Sequence, residues 1–265
     1  LSLFHTVFNV INTLLMIGLI PYIAKVVTRL VPSRGIEDET FHLEYIGTGT
    51  VVTTEASILE SKKEIQKFGK LVQRMTGFVS ELLVETDKKK FKKQLERIKK
   101  YEEITDKIET EVVGYLAKVS ESELSEEASL QIRSMLSIAD DLETIGDINY
   151  SMSRTIKRKN EDKIYFIPQQ RENLLELFKL VDQAMYKMQH NLEVEMNKVD
   201  LDGAYHAEKE INRFRNNLRK GHLKSIENGE YQHASGMIYT DLFAALESIG
   251  DHVISISEAR AGKIS

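Results

Sequence analysis

Residues 142–147 read LETIGD and residues 246–251 read LESIGD. The pattern recurs 104 positions on (251 − 147), so the chain is internally duplicated. Glu143 and Asp147 stand four apart, as do Glu247 and Asp251, a spacing that places each pair on one face of a helix. Away from the motifs, apolar residues recur at intervals of three and four. Ile58, Ile65, Phe68, Leu71 and Val72 form one such series, and Leu174, Leu177, Phe178, Val181 and Met185 another. Each reads as the buried stripe of an amphipathic helix, and the phenylalanines and methionines on it as packing residues.

Extended over the chain, this periodicity predicts six helices at 54–85, 88–117, 123–159, 168–198, 201–227 and 230–260. Ser120, three before Glu123, suits a capping box; Pro168 suits a first helical turn; Gly229 suits a C-terminal stop. Short connections make consecutive helices antiparallel. Three helices fall on either side of the polar turn at 159–167, giving repeats of about 54–160 and 168–262 stacked side by side. Composition agrees with an all-α fold: three prolines in 265 residues, no tryptophan, and an abundance of Glu, Lys, Leu and Ile. The net charge is −5 with both signs interleaved, so no basic footprint is visible and no nucleic-acid partner is expected. With no cysteine, disulfides and thiolate metal sites are excluded.

The opening of the chain is different. Residues 7–30 read VFNVINTLLMIGLIPYIAKVVTRL, uncharged before Lys25, and about 20 apolar residues cross a bilayer core. A transmembrane helix within 1–34 is expected, with Lys25, Arg29 and Arg34 on the cytoplasmic side and everything beyond in the cytosol. A helix buried in a soluble bundle is the alternative. The segment has neither the basic start nor the cleavage site of a signal peptide, and the missing initiator Met makes the sequence read as a fragment. His5, Asn9 and Asn12 form a polar stripe on this helix, suited to interhelical hydrogen bonds or to a transport pathway. Residues 35–53, with Gly35, Gly47 and Gly49, read as a linker.

Like charges four apart repel, so Glu102/Asp106, Glu143/Asp147 and Glu247/Asp251 are either screened by solvent or bridged by a cation. Helix bundles hold metals on inward carboxylates from several helices, and oxygen ligands suit iron, manganese, magnesium or calcium. Asp140 and Glu109 extend the same faces and could complete a shell. Gly146 and Gly250 each cost a helix interior about 1 kcal/mol, which close approach of another helix or a ligand would offset. No His stands in Glu-x-x-His spacing beside the paired acids, which argues against a diiron enzyme, and no enzymatic activity is expected.

From about Ser57 to Ala261 these residues resemble PhoU-like domains, whose three-helix repeats carry an E-x-x-x-D motif and an E-R-I-G-D-type motif. The opening residues 3–9, LFHTVFN, followed by an apolar span and by FHLEY at 41–45, resemble the last membrane helix and connector of bacterial sodium/phosphate cotransporters with a PhoU-like tail. The resemblance implies the C-terminal part of a sodium-dependent phosphate transporter at the plasma membrane. Its regulatory tail would lie in the cytoplasm, with the membrane domain, sodium and phosphate as partners of the full-length protein. A soluble PhoU-type adaptor regulating phosphate uptake and signalling is the alternative, and a homodimer remains open for either.

The resemblance also implies a divalent or iron-type metal. It places the first set of ligands on Glu102, Asp106, Glu143 and Asp147, to which the shared helix face adds Asp140, and a weaker second set on Glu208, Glu247 and Asp251. The second repeat departs from the first: Asn212 stands for Asp106, Ala244 for Asp140 and Arg215 for Glu109. Ser151 and Ser255 occupy positions where the family often has Asn.

Overall fold

The computed structural model describes residues 4–10, 12–13, 19–20, 22, 43–46 and 53–263. The chain divides into two compact units, residues 1–40 and 41–265. In the first unit the described residues are helical and exposed, and they include Phe4, Val7, Phe8, Ile20 and Tyr22. Most of the transmembrane helix expected within 1–34 lies outside the described residues. Among those described, no helix is long and apolar enough to cross a membrane. The longest continuous stretch there, residues 4–10, covers about 10 Å of a bilayer core roughly 30 Å thick. His5, Asn9 and Asn12 are helical and exposed.

The second unit consists of six long helices: α1 (Thr54–Val84), α2 (Lys88–Val119), α3 (Glu126–Glu161), α4 (Pro168–Glu193), α5 (Leu201–Glu227) and α6 (His233–Arg260). A 3-10 turn, Met196–Lys198, lies between α4 and α5. Within each half the outer helix packs on the last, α2 on α3 and α5 on α6, while α1 and α4 complete the two three-helix bundles. The halves join through α1 on α4 and α3 on α6. Every apolar stripe therefore meets a partner, and one core runs through both bundles from Ile65 and Phe68 to Leu246 and Ile256. Asn149, fully buried on α3, donates to Thr76 Oγ1 on α1 at 2.9 Å, a polar contact inside this core.

Helix ends follow local chemistry. Asp87 caps α2 by accepting from the amides of Lys89 and Lys90, and Pro168 occupies the first turn of α4. Gly229 adopts φ +66 just beyond α5, and the amide of Glu230 then returns to the carbonyl of Ser225, a left-handed stop as expected there. Three boundaries differ from the sequence reading. Ser120 is not an N-cap: its amide closes the end of α2 on the Leu116 carbonyl, and Ser125 instead caps α3 by accepting from Ala128 N. Helix α4 stops at Glu193 because the Asn191 side chain captures both backbone groups of Asp200, turning the chain back. Helix α6 starts at His233, since the Gly229 turn takes up the residues just before it.

Part of the expected linker is held against the bundle. The buried carboxylate of Glu64 on α1 accepts from the amides of Glu44 and Tyr45, each at 3.0 Å, and Ile46 enters the core. Two charge-assisted bonds to one buried acid offset its desolvation.

Candidate metal centre

Glu102 and Asp106 lie one turn apart on α2, and Glu143 and Asp147 one turn apart on α3. What lets the two helices approach is Gly146, buried between Glu143 and Asp147. A Cβ there would sit 2.9 Å from Thr105 Oγ1 and 3.3 Å from Thr105 Cβ. Thr105 immediately precedes Asp106, and its hydroxyl is turned away to donate to the Glu102 carbonyl at 2.7 Å. The missing side chain of the motif glycine thus brings the acids on its neighbours together across the helix pair.

Carboxylate oxygens of Glu102, Asp106 and Asp147 lie within 4.8 Å of one another, the only such trio among the described residues. Glu102 is half-buried; Asp106 and Asp147 are exposed. Glu143 feels the same cluster: burial first, then Asp147, Asp106, Glu109 and Asp140, push its carboxyl up to about 7. Burial and the neighbouring acids also raise Glu102 and Asp106. Asp140 is exposed and outside the trio, reaching Glu143 only through its field. No Lys, Arg or His of the described residues forms an ion pair with these acids. The charge of Lys99 eases Glu102 and a backbone hydrogen bond eases Asp106, yet burial and mutual repulsion still raise both. Hard oxygen donors held together in this way are what a magnesium, calcium, manganese or iron cation requires, so the residues fit such a metal.

The second repeat builds the same backbone and different chemistry. Gly250 again permits the approach, a Cβ there lying 3.1 Å from Ile211 Cδ1, and Ile211 again precedes the motif position, Asn212. Here, however, Asn212 donates to Glu208 and Arg215 pairs with Glu247, with both side chains of that ion pair largely covered. His252 and then Arg215 counteract the burial and the Glu247 charge that raise Asp251, while Glu208 is raised by burial, Asp251 and Glu247. A protein guanidinium already occupies the place a cation would take. Glu208, Glu247 and Asp251 therefore do not form a comparable open ligand set.

These features accord with the comparisons. The PhoU domain matches residues 65–156. The matched stretch covers most of the first repeat and contains the whole carboxylate cluster. Two solved structures have the same fold. One is the phosphate transport system regulatory protein PhoU from Streptococcus pneumoniae, at 16% identity and TM-score 0.65, covering 78% of this chain and 95% of that one. The other is PhoU from Pseudomonas aeruginosa, at 15% identity and TM-score 0.69, covering 78% and 97%. No curated protein sequence matches the chain.

Polar contacts between the repeats escaped the sequence reading, and one of them stands beside the motifs. His252 Nδ1 on α6 lies 2.7 Å from Asp141 Oδ1 on α3, and that bond raises the imidazole above its ordinary value. Both residues flank the duplicated motifs, but their meeting depends on how one bundle packs on the other, which helical spacing does not encode.

Proposed function

We propose that this chain is a PhoU-type regulator of phosphate uptake acting by protein contact, with a carboxylate-held metal stabilising the α2–α3 pair. The fold it shares with a phosphate transport system regulatory protein supports the first part. The observation that carries the second is the convergence of Glu102, Asp106 and Asp147, none of them in an ion pair with a described residue. When bound, the metal supplies positive charge. Glu102, Asp106 and Asp147 would hold it, and Glu143 would join once deprotonated. The reading gives the chain no catalytic role; its partner would be the phosphate transport machinery.

Metal analysis of the purified chain beside a Glu143→Ala/Asp147→Ala variant tests the centre. Metal in the parent and a loss of at least tenfold in affinity in the variant is expected; equal, negligible metal in both rejects the centre and leaves the fold untouched. For regulation, cells lacking the protein should misregulate phosphate uptake, and uptake that responds normally to phosphate starvation would reject the proposal.

A second reading, the cytosolic tail of a sodium-dependent phosphate transporter, is favoured by one observation. The helical first unit exposes Phe4, Val7, Phe8, Val10, Leu19 and Ile20, a surface suited to lipid or to neighbouring membrane helices. Phosphate uptake by the full-length protein that needs no sodium would contradict it.

A further inference from the structure

Beside the acidic cluster, the same α2–α3 seam opens into a groove of about 1000 Å³. Lys92 and Lys99 line one wall; Arg154, Lys157 and Arg158 line the other. Only two acids, Glu96 and Glu161, contribute to the lining, in a chain whose net charge is −5. Each makes an i,i+4 pair of 3.7–3.8 Å with an exposed lysine, a contact worth a few tenths of a kcal/mol. Arg154 and Arg158 form no ion pair with the described residues. The floor is half-buried Phe91, Leu95 and Tyr150, and Ser151 and Thr155 add hydroxyls.

Two comparisons show that folding does not call for this charge. Helices α1, α3 and α5 carry acids in their first turns, which suit the positive end of the helix dipole. Helix α2 instead opens on Lys88, Lys89 and Lys90, followed by Lys92 and Lys93. The three lysines of the first turn oppose the dipole, at about 0.3–1 kcal/mol each, and the run continues into the groove through Lys92. The second repeat keeps only one of these five bases, Lys198 in place of Lys92. By the repeat registers, Arg154 corresponds to Glu258, Lys99 to Tyr205, Lys157 to Ala261 and Arg158 to Gly262. Tyr205 and Glu258 bond directly to each other and close the seam.

We propose that this groove is a binding site for a compact oligophosphate, a nucleoside triphosphate or a short inorganic polyphosphate. Arginine forks and hydroxyls on facing walls match phosphate oxygens arrayed in a row. The walls run for about 12 Å on α2 and about 16 Å on α3, the reach of such a ligand. Length is bounded at one end by the carboxylates of Glu102, Glu103 and Asp147, which would repel a nucleic acid strand or an acidic helix continuing past the groove. The Arg154 guanidinium now lies 5.9 Å from the Tyr150 ring centroid; drawn to the phosphates, it would leave that aromatic face to a base, which separates the two phosphate sources.

Calorimetric titration of the full chain with adenosine triphosphate, inorganic tripolyphosphate and inorganic phosphate tests the proposal. Omitting divalent cations keeps the outcome independent of the metal centre. One triphosphate per chain should bind with a Kd of roughly 10–100 μM, a common range for a solvent-open ionic site. Binding should weaken at least tenfold in Arg154→Glu/Arg158→Glu while remaining within twofold in Lys220→Glu, an exposed control on α5, with thermal melting confirming that both variants fold. Tenfold preference for adenosine triphosphate, lost in Tyr150→Ala, assigns a nucleotide; equal binding of tripolyphosphate assigns the inorganic chain. No binding of either, equal losses in both charge variants, or tighter binding to a single-stranded oligonucleotide or to anionic phosphatidylglycerol vesicles would overturn the site.

Discussion

The two repeats place the same backbone around the same glycine and reach opposite electrostatic solutions. Around Gly146 the acids of α2 and α3 converge without an ion pair to any described residue, and Glu143 responds by holding its proton to about pH 7. Around Gly250 the neighbouring helix supplies Asn212 and Arg215, which bond to Glu208 and Glu247. The second repeat is thus neutralised from within and the first waits for charge from outside. The difference also separates two jobs of the Ile-Gly-Asp motif: close helix packing, kept in both halves, and ligand donation, kept in one. The same asymmetry recurs further along the α2–α3 seam, where basic walls stand in place of the Tyr205–Glu258 contact.

The largest test acts on what the halves share. At Gly146 even a Cβ would lie 2.9 Å from Thr105 Oγ1, which is tied to the Glu102 carbonyl, so a large side chain must push α2 from α3. Gly146→Leu is expected to cost about 3 kcal/mol in urea unfolding and to abolish metal binding. Gly250→Leu, set against the tips of Ile211, should cost a similar amount without touching the metal. Retention of metal by Gly146→Leu would disconnect the glycine from the site.

The next test inverts the charge chemistry. Removing Arg215 leaves Glu247, Glu208 and Asp251 facing one another with no guanidinium between them, and Arg215→Ala should destabilise by about 2 kcal/mol. Its counterpart in the first repeat is Glu109, one of the acids that raise Glu143. Glu109→Ala should therefore shift stability the other way, by about 0.5 kcal/mol in the metal-free protein. Two losses of similar size would mean that the halves are electrostatically alike.

The duplicated motif made the six helices and their pairing legible, because apolar spacing and end signals such as Pro168 and Gly229 are local. The departures Asn212 and Arg215 were legible too, as substitutions between aligned repeats. Other contacts depend on distance in the chain. Ser120 and Ser125 both offer a hydroxyl before an acidic run, and only the end of α2 decides which one caps. The hold of Glu64 on residues 44 and 45 joins a linker to a helix 20 positions on, with no periodicity to announce it. The basic groove is the sharpest case. Its two walls lie more than 50 residues apart in a chain with 41 acids to 36 lysines and arginines, and only the antiparallel pairing of α2 and α3 gathers them on one seam.

The smallest expected effect is a slope in pH. Glu143 titrates near 7 in the folded chain and near its ordinary 4.5 when unfolded, so between those values the folded state holds a proton that the unfolded chain has released. Stability of the metal-free protein must then fall as pH rises through that window and level off above it. Glu143 is partly exposed and solvent screens its neighbours, so the loss is about 1 kcal/mol, well below what the full shift would give. Glu143→Gln should remove most of this slope. Bound metal should reverse it, because its ligands must lose their protons to coordinate. Melting temperatures measured between about pH 5 and pH 8, with and without added manganese, check both signs at once. A metal-free protein that grows more stable as pH rises across the window would mean that the first repeat, like the second, is neutralised by a group of its own.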